Sequence, residues 1–175
     1  MYKELPRHIR IVKEMGGFVF LDTNGSRPDV IQDLLENHLV DVLGLSLKGL
    51  SREDAMKRSN ARDSLLCWDN VLRSAEIGSA HPDVRLIITY VFYDNAGLAE
   101  LQKFSDIIRC FPNVYLKINN LHYSIHNQPG LSPIDSRAFF NLARSFVEMY
   151  PEWKGHMIVV NSQEAISDYD KILFL

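Results

Sequence analysis

The chain has 175 residues, 46% of them hydrophobic and 23% charged, with a net charge of −3. That size suits one soluble globular domain with a sizeable core. The near-neutral charge argues against a nucleic-acid partner, and no apolar run is long enough to span a bilayer.

Residues 1–10 carry charges and a proline but no hydrophobic signal core, so a cytoplasmic protein is expected. Residues 4–15 read as a helix with Ile9, Val12 and His8 on its inner face, ended by Gly16 and Gly17. Residues 18–21 (Phe18, Val19, Phe20, Leu21) read as a buried strand. It stops on a polar tip, Asp22, Thr23 and Asn24, followed by Gly25, which permits a turn with positive φ. Ser26 and Pro28 read as cap and first turn of a helix over residues 28–37, with Val30, Ile31, Leu34 and Leu35 on its inner face. Residues 40–47 form a second, almost wholly apolar strand, as expected when both faces are covered. It ends on Ser46, Leu47, Lys48 and Gly49, with Ser46 and Lys48 on one face by the two-residue period.

Ser51 caps a third helix, with Asp54 where a capping box has Glu. A longer helix covers residues 62–77, and the turn after it leads to a third strand over residues 84–92. Tyr93, Asp94 and Asn95 follow as a turn. A helix over residues 97–110 precedes a fourth strand, residues 114–121, and a polar loop, residues 121–130. Ser132 and Pro133 start a helix over residues 134–150 whose inner face is Phe139, Leu142, Phe146 and Met149. A fifth strand, residues 156–160, a short helix, residues 162–168, and a last strand, residues 171–175, close the chain. Alternating strands and helices predict an α/β fold, either a partial (β/α) barrel or an open, mainly parallel sheet of five or six strands.

Polar groups at strand tips are the candidate ligand contacts, because sites in such folds lie beyond the carboxyl ends of the strands. Asp22 suits a ligand contact or a local cap beside Gly25; Thr23 and Asn24 read first as turn formers. Lys48 is a solvated charge unless it shares a pocket with Asp22 on the neighbouring strand, and Ser46 suits packing. His122 and His126 are four apart, but the surrounding residues favour a loop over a metal-binding helix face. Cys67 and Cys110 read as buried free thiols, and no structural zinc or iron–sulfur site is expected from this chain alone. Trp68 reads as core and Trp153, beside Lys154, as a surface ring.

The run Leu21, Asp22, Thr23, Asn24, Gly25, then a helix, then Val40 to Gly49 with Lys48 at its tip, resembles the middle of a radical S-adenosylmethionine (SAM) enzyme. It is most similar to the activating enzymes of glycyl-radical systems, of the pyruvate formate-lyase and anaerobic ribonucleotide reductase type. The resemblance implies a partial barrel whose first strand bears three cysteines holding a [4Fe–4S] cluster. SAM bound there yields a 5′-deoxyadenosyl radical that abstracts hydrogen from a protein glycine or a small substrate. It further implies that Asp22 and Thr23 bind a monovalent cation or lie near SAM, and that Lys48 faces the SAM carboxylate.

Three positions depart from the family. Ser46 stands where Asp is common, Thr89 near where Arg is common, and Tyr123 with Ser124 in place of a Tyr-His pair, for which His122 or His126 is the candidate substitute. The cysteine triplet and the segment after it are absent.

The resulting expectation is a single domain, residues 1–175, forming the SAM-binding wall of a radical SAM oxidoreductase-like protein. Its contacts would be Asp22, Thr23, Asn24, Ser46, Lys48, His122 and His126, with the cluster supplied by another segment or partner and a glycyl-radical protein as target. The alternative is a non-catalytic interaction module whose exposed strand edges take a partner. An unrelated α/β enzyme for a phosphorylated small molecule ranks last, because no glycine-rich phosphate loop is present.

Overall fold

The computed structural model describes residues 4–59, 64–93, 96–121, 132–161 and 172–175; of residues 64–67, 172 and 173 only the backbone is described. The fold is α/β. Its sheet has six strands in sequence order, β1 (Phe20–Thr23), β2 (Val42–Ser46), β3 (Arg85–Phe92), β4 (Val114–Asn120), β5 (Met157–Asn161) and β6 (Ile172–Phe174). The first five run parallel, while β6 returns antiparallel to β5. Cys67, as a side chain, and Asp94, Asn95, His122, Tyr123, Ser124, His126 and the helix expected over residues 162–168 lie outside the described residues. The chain divides into two compact units: Met1–Ile88 with Phe111–Val114, and Thr89–Cys110 with Tyr115–Leu175.

The first unit begins with α1 (Leu5–Glu14). The helix stops because Gly16 takes φ +77°, which lets Gly16 N–H reach Lys13 O and Gly17 N–H reach Val12 O, both orphan carbonyls of the last turn. Only Ile9 is buried; His8 and Val12, expected inward, are exposed. Asp41 pins the helix to the strand starts. Its carboxylate accepts from Lys13 Nζ at 2.7 Å and from Val19 N–H at 2.7 Å. The helix α2 (Pro28–Glu36) starts from Arg27, with no side-chain cap, so Ser26 is not the cap. It ends in the same kind of turn as α1, with His38 at φ +53° where glycine is usual. Next come α3 (Arg52–Ser59) and α4 (Ser64–Ser79); α4 packs on β2, α2 and α3.

The expectation for β1 needs correction. Phe18 and Phe20 are 71% and 51% exposed, so the strand is covered on one face only. When parallel strands follow sequence order, right-handed crossovers all step the same way and carry their helices to one face of the sheet. In this unit Leu43 and Leu45 lie buried in the core, whereas Phe20 and Asp22 are exposed.

The second unit contains the C-terminal part of β3, α5 (Leu98–Ile108), β4 from Tyr115, α6 (Ser136–Met149), a short 3₁₀ turn (Pro151–Trp153), β5 and β6. Its core is aromatic: Tyr90 meets Phe92 edge to face at 5.1 Å, and Phe92 lies 6.3 Å from Phe139. The cap of α6 is Asp135, which accepts from Ala138 N–H at 3.0 Å, rather than Ser132. Asn120 and Asn161, both buried, tie the entry of α6 to the sheet through Ile134 and Ser136. Three expectations fail here for one reason, that burial depends on distant partners. Trp153 is buried, its indole N–H donating to Ser105 Oγ at 2.8 Å. Cys110 and Met149 are exposed.

Candidate functional site

The carboxyl ends of β1 and β2 lie side by side. The two strands are parallel neighbours, with Asp22 opposite Gly44 and Thr23 opposite Leu45. Asp22 is exposed near the end of β1, Ser46 is half-buried as the last residue of β2, and Lys48 is exposed two residues further on. Facing residues on parallel strands share a side of the sheet, so Phe20, Asp22, Val42, Gly44 and Ser46 lie on one face. Neither Asp22 nor Lys48 has an ion-pair partner among the described residues.

The loop after β1 is built by its own side chains. Thr23 Oγ1 accepts from Gly25 N–H at 3.3 Å and Asn24 Oδ1 from Ser26 N–H at 3.1 Å, two local turns of the kind these residues favour. Gly25 is buried at φ +68°. A methyl group there would lie 3.1 Å from Val71 Cα and 3.3 Å from Leu45 Cδ2, so the backbone rests directly on α4.

That helix also satisfies the turn's carbonyls. Ser74 Oγ donates to Gly25 O at 3.0 Å and Asn70 Nδ2 to Ser26 O at 3.1 Å. Ser74 is fully buried. Sequence reasoning missed both residues, although they form a polar pair at i, i+4 on one helix face.

The Lys48 tip is held in a comparable way. Gly49 packs so closely on α3 that a methyl group there would collide with the Ala55 backbone. Ser51 Oγ accepts from Asp54 N–H at 3.1 Å, and the Asp54 carboxylate accepts from Leu50 N–H at 2.9 Å. This is the expected capping arrangement, with the return bond made one residue before the cap. Arg58 Nε, 2.7 Å from the other Asp54 oxygen, fixes that carboxylate.

At Gly44 the close approach is to the open face. A methyl group there would lie 2.8 Å from Phe20 Cε2, 3.2 Å from Phe20 Cζ and 3.3 Å from Asp22 Oδ1. The Phe20 ring therefore leans over Gly44, one pleat toward the carboxyl end, and reaches the level of the Asp22 carboxylate. Exposed on this rim are an aromatic ring, an anion and a cation, with the half-buried Ser46 at the end of β2.

That donor set suits a zwitterionic organic molecule such as SAM: a cation for a carboxylate, an anion for an ammonium or sulfonium, a ring for an apolar group. It does not suit an iron–sulfur cluster. The whole sequence has two cysteines, too few for three thiolate ligands. Among the described residues no group of three or more His, Cys, Asp or Glu side chains converges on a metal position. Among them, too, no helix is long and apolar enough to cross a membrane.

No protein-family model and no curated protein matches the chain. Among solved structures it is similar to a radical SAM methyltransferase from Sphaerobacter thermophilus, at 13% identity and a TM-score of 0.66. The match covers 93% of this chain and 48% of that one, so the chain spans about half the length of its solved neighbour. At that identity the likeness is one of fold: five parallel strands in one sheet flanked by helices, an α/β arrangement similar to that of this neighbour.

Proposed function

We propose that this chain binds SAM along the β1–β2 rim, as the SAM-binding wall of a radical SAM activating-enzyme-like protein. Its iron–sulfur ligands would come from another segment or subunit, and a glycyl-radical protein would be the target. The register supports the reading most directly. With Asp22 opposite Gly44, Ser46 and Lys48 continue toward the carboxyl end that Asp22 occupies. The likeness of fold to a radical SAM methyltransferase points the same way.

Lys48 pairs with the carboxylate of the methionyl part, Asp22 offers its charge to the cationic part, and Ser46 donates or accepts between them. Thr23 and Asn24 hold the loop through their turns and keep a hydroxyl proton and an amide free for the ligand; His122 and His126 complete the proposed contacts. SAM held against a reduced cluster is a source of hydrogen-abstracting chemistry; this chain contributes binding and orientation.

Calorimetry on residues 1–175 tests the proposal. SAM binds and sugar phosphates do not, and Lys48→Met weakens binding about tenfold or more, the scale of one hydrogen bond to a charged group. Binding of a sugar phosphate in place of SAM refutes the reading. Reconstitution of the isolated chain with iron and sulfide gives no cluster absorbance; a stable brown protein contradicts the assignment of cluster ligands elsewhere.

One observation favours a second reading, the interaction module. Phe20 on the terminal strand of the sheet and Phe18 just before it expose two aromatic rings, and such exposed apolar surface beside a strand edge is commonly covered by a partner. Light scattering that returns a well-behaved monomer at high concentration weighs against it.

A further inference from the structure

Gly44 is the point on which the open face of the first unit converges. It is buried, yet the atoms nearest the place of its missing side chain belong to exposed residues. What fills the space is the end of the Phe20 ring, with Asp22 Oδ1 beside it. Any residue with a Cβ at position 44 drives the ring away, since 2.8 Å is well inside carbon–carbon contact. Phe20 stays half exposed, an unusual condition for an aromatic side chain in a strand. The carboxylate next to it has no cationic partner among the described residues. The edge of the ring and a carboxylate approach the same point, and a ring half open to solvent with a carboxylate at its edge supplies the two elements that recognise an organic cation. The ring quadrupole attracts it, the carboxylate compensates its charge, and a soft onium centre is poorly hydrated enough to leave water for such a site.

We propose that Phe20 and Asp22, converging over Gly44, form a cradle for an organic onium cation. In the SAM-binding reading on which this rests, the cradle takes the sulfonium, so Phe20 sets the preference for SAM over its neutral thioether product. Asp22 supplies the charge, the Phe20 ring supplies the selective surface, and Gly44 admits the ring. Position 20 is a specificity determinant whose ring the sequence pattern assigns to the core.

The experiment compares SAM with S-adenosylhomocysteine by calorimetry, and follows the Phe20 ring protons by NMR while trimethylsulfonium is added. The wild-type chain prefers SAM, and trimethylsulfonium moves the Phe20 signals. Phe20→Leu and Gly44→Ala each reduce the preference about 3- to 10-fold, the range of one partly desolvated cation–π contact, while Phe20→Tyr keeps it. The exposure of position 20 lets the Phe20 variants fold with an unchanged urea midpoint; Gly44 is buried, so for Gly44→Ala a single cooperative urea transition verifies folding.

If SAM binds but Phe20→Leu leaves the preference intact, the cradle is overturned and the SAM reading stands. If SAM does not bind but trimethylsulfonium still moves the Phe20 signals in the wild type and not in Asp22→Asn, the cradle stands and the SAM reading falls. If neither ligand has an effect, both fall.

Discussion

Replacing Gly25 by Ala tests how the tip of β1 is held. Two costs combine there, and a second glycine separates them. Gly25 and Gly16 have similar positive φ, +68° and +77°, so an alanine at either meets the left-handed penalty of about 1–2 kcal/mol, partly offset by reduced freedom of the unfolded chain. At Gly16 nothing lies within 4 Å of the added methyl, and that is the whole cost. At Gly25 the methyl also meets Val71 Cα at 3.1 Å, Val71 Cγ2 at 3.2 Å and Leu45 Cδ2 at 3.3 Å. One of these atoms is helix backbone and cannot swing aside. Overpacking of this kind adds about 1–3 kcal/mol.

Urea unfolding then gives Gly16→Ala a loss of about 1 kcal/mol and Gly25→Ala about 2–4 kcal/mol. Because the displaced loop carries Thr23 and Asn24, Gly25→Ala also weakens ligand binding at the rim, whereas Gly16→Ala does not. Equal losses in the two variants would show that α4 yields freely, and would refute the argument that the loop rests on it.

Asp41 sits below the ordinary carboxylate range, first because Lys13 donates to it and then because Val19 N–H does. Its folded pKa is depressed, so its contribution is complete above the unfolded value of about 4 and is lost as pH falls through the folded one. Asp41→Asn accordingly costs about 1–2 kcal/mol at neutral pH, discounted for partial exposure, and the difference from wild type vanishes in acid; a pH series of urea midpoints measures it. In the second unit, Ser105→Ala leaves the buried Trp153 N–H unsatisfied and costs about 1–3 kcal/mol. Adding Trp153→Phe costs less than the sum of the single changes, which a double-mutant cycle reads directly. His38→Gly raises stability by about 0.5–1 kcal/mol, since the left-handed turn position is relieved while only an exposed pair with Asp83 is lost; a lower thermal midpoint would show that the pair matters more.

The sequence carried local features well and non-local ones poorly. The Gly25 turn, the self-bonding of Thr23 and Asn24 and the Ser51 cap depend on residues within a few positions of one another, and residue type alone announces them. The exposure of Phe20 depends on which face the crossover helices take. A run of apolar residues looks the same whether one face is covered or two. Trp153 has charged neighbours in sequence and a buried hydroxyl 48 residues away. The cap of α6 fell on Asp135 because Ser132, Pro133 and Asp135, within four residues, offered competing starts. His38 hid a helix end by occupying a position where glycine would have signalled it. At the rim, Asp22, Ser46 and Lys48 were legible as strand tips, but Gly44 was not: its role appears only when β1 is laid against β2 in register.

Phe18 and Phe20 look equivalent, two rings on one exposed strand, yet the geometry separates them. Phe20 lies against Gly44 and beside Asp22, whereas Phe18 precedes β1 and is the more exposed of the two. A partner that covers the edge buries both rings; a cation at the rim needs only the second. Phe18→Ser therefore reduces self-association or partner capture, seen as a smaller light-scattering mass or improved solubility, and leaves SAM affinity unchanged. Phe20→Leu does the converse for the preference between SAM and its thioether. Should Phe18→Ser cut SAM affinity as strongly as Phe20→Leu does, the two rings act as one apolar surface, and the division of labour argued from Gly44 is wrong. If instead the effects separate, one strand carries a docking surface at its start and a ligand contact at its end. That arrangement places any bound partner along the strand that also presents Asp22; if SAM affinity then changes when the partner is bound, the partner's affinity must change by the same factor when SAM is bound.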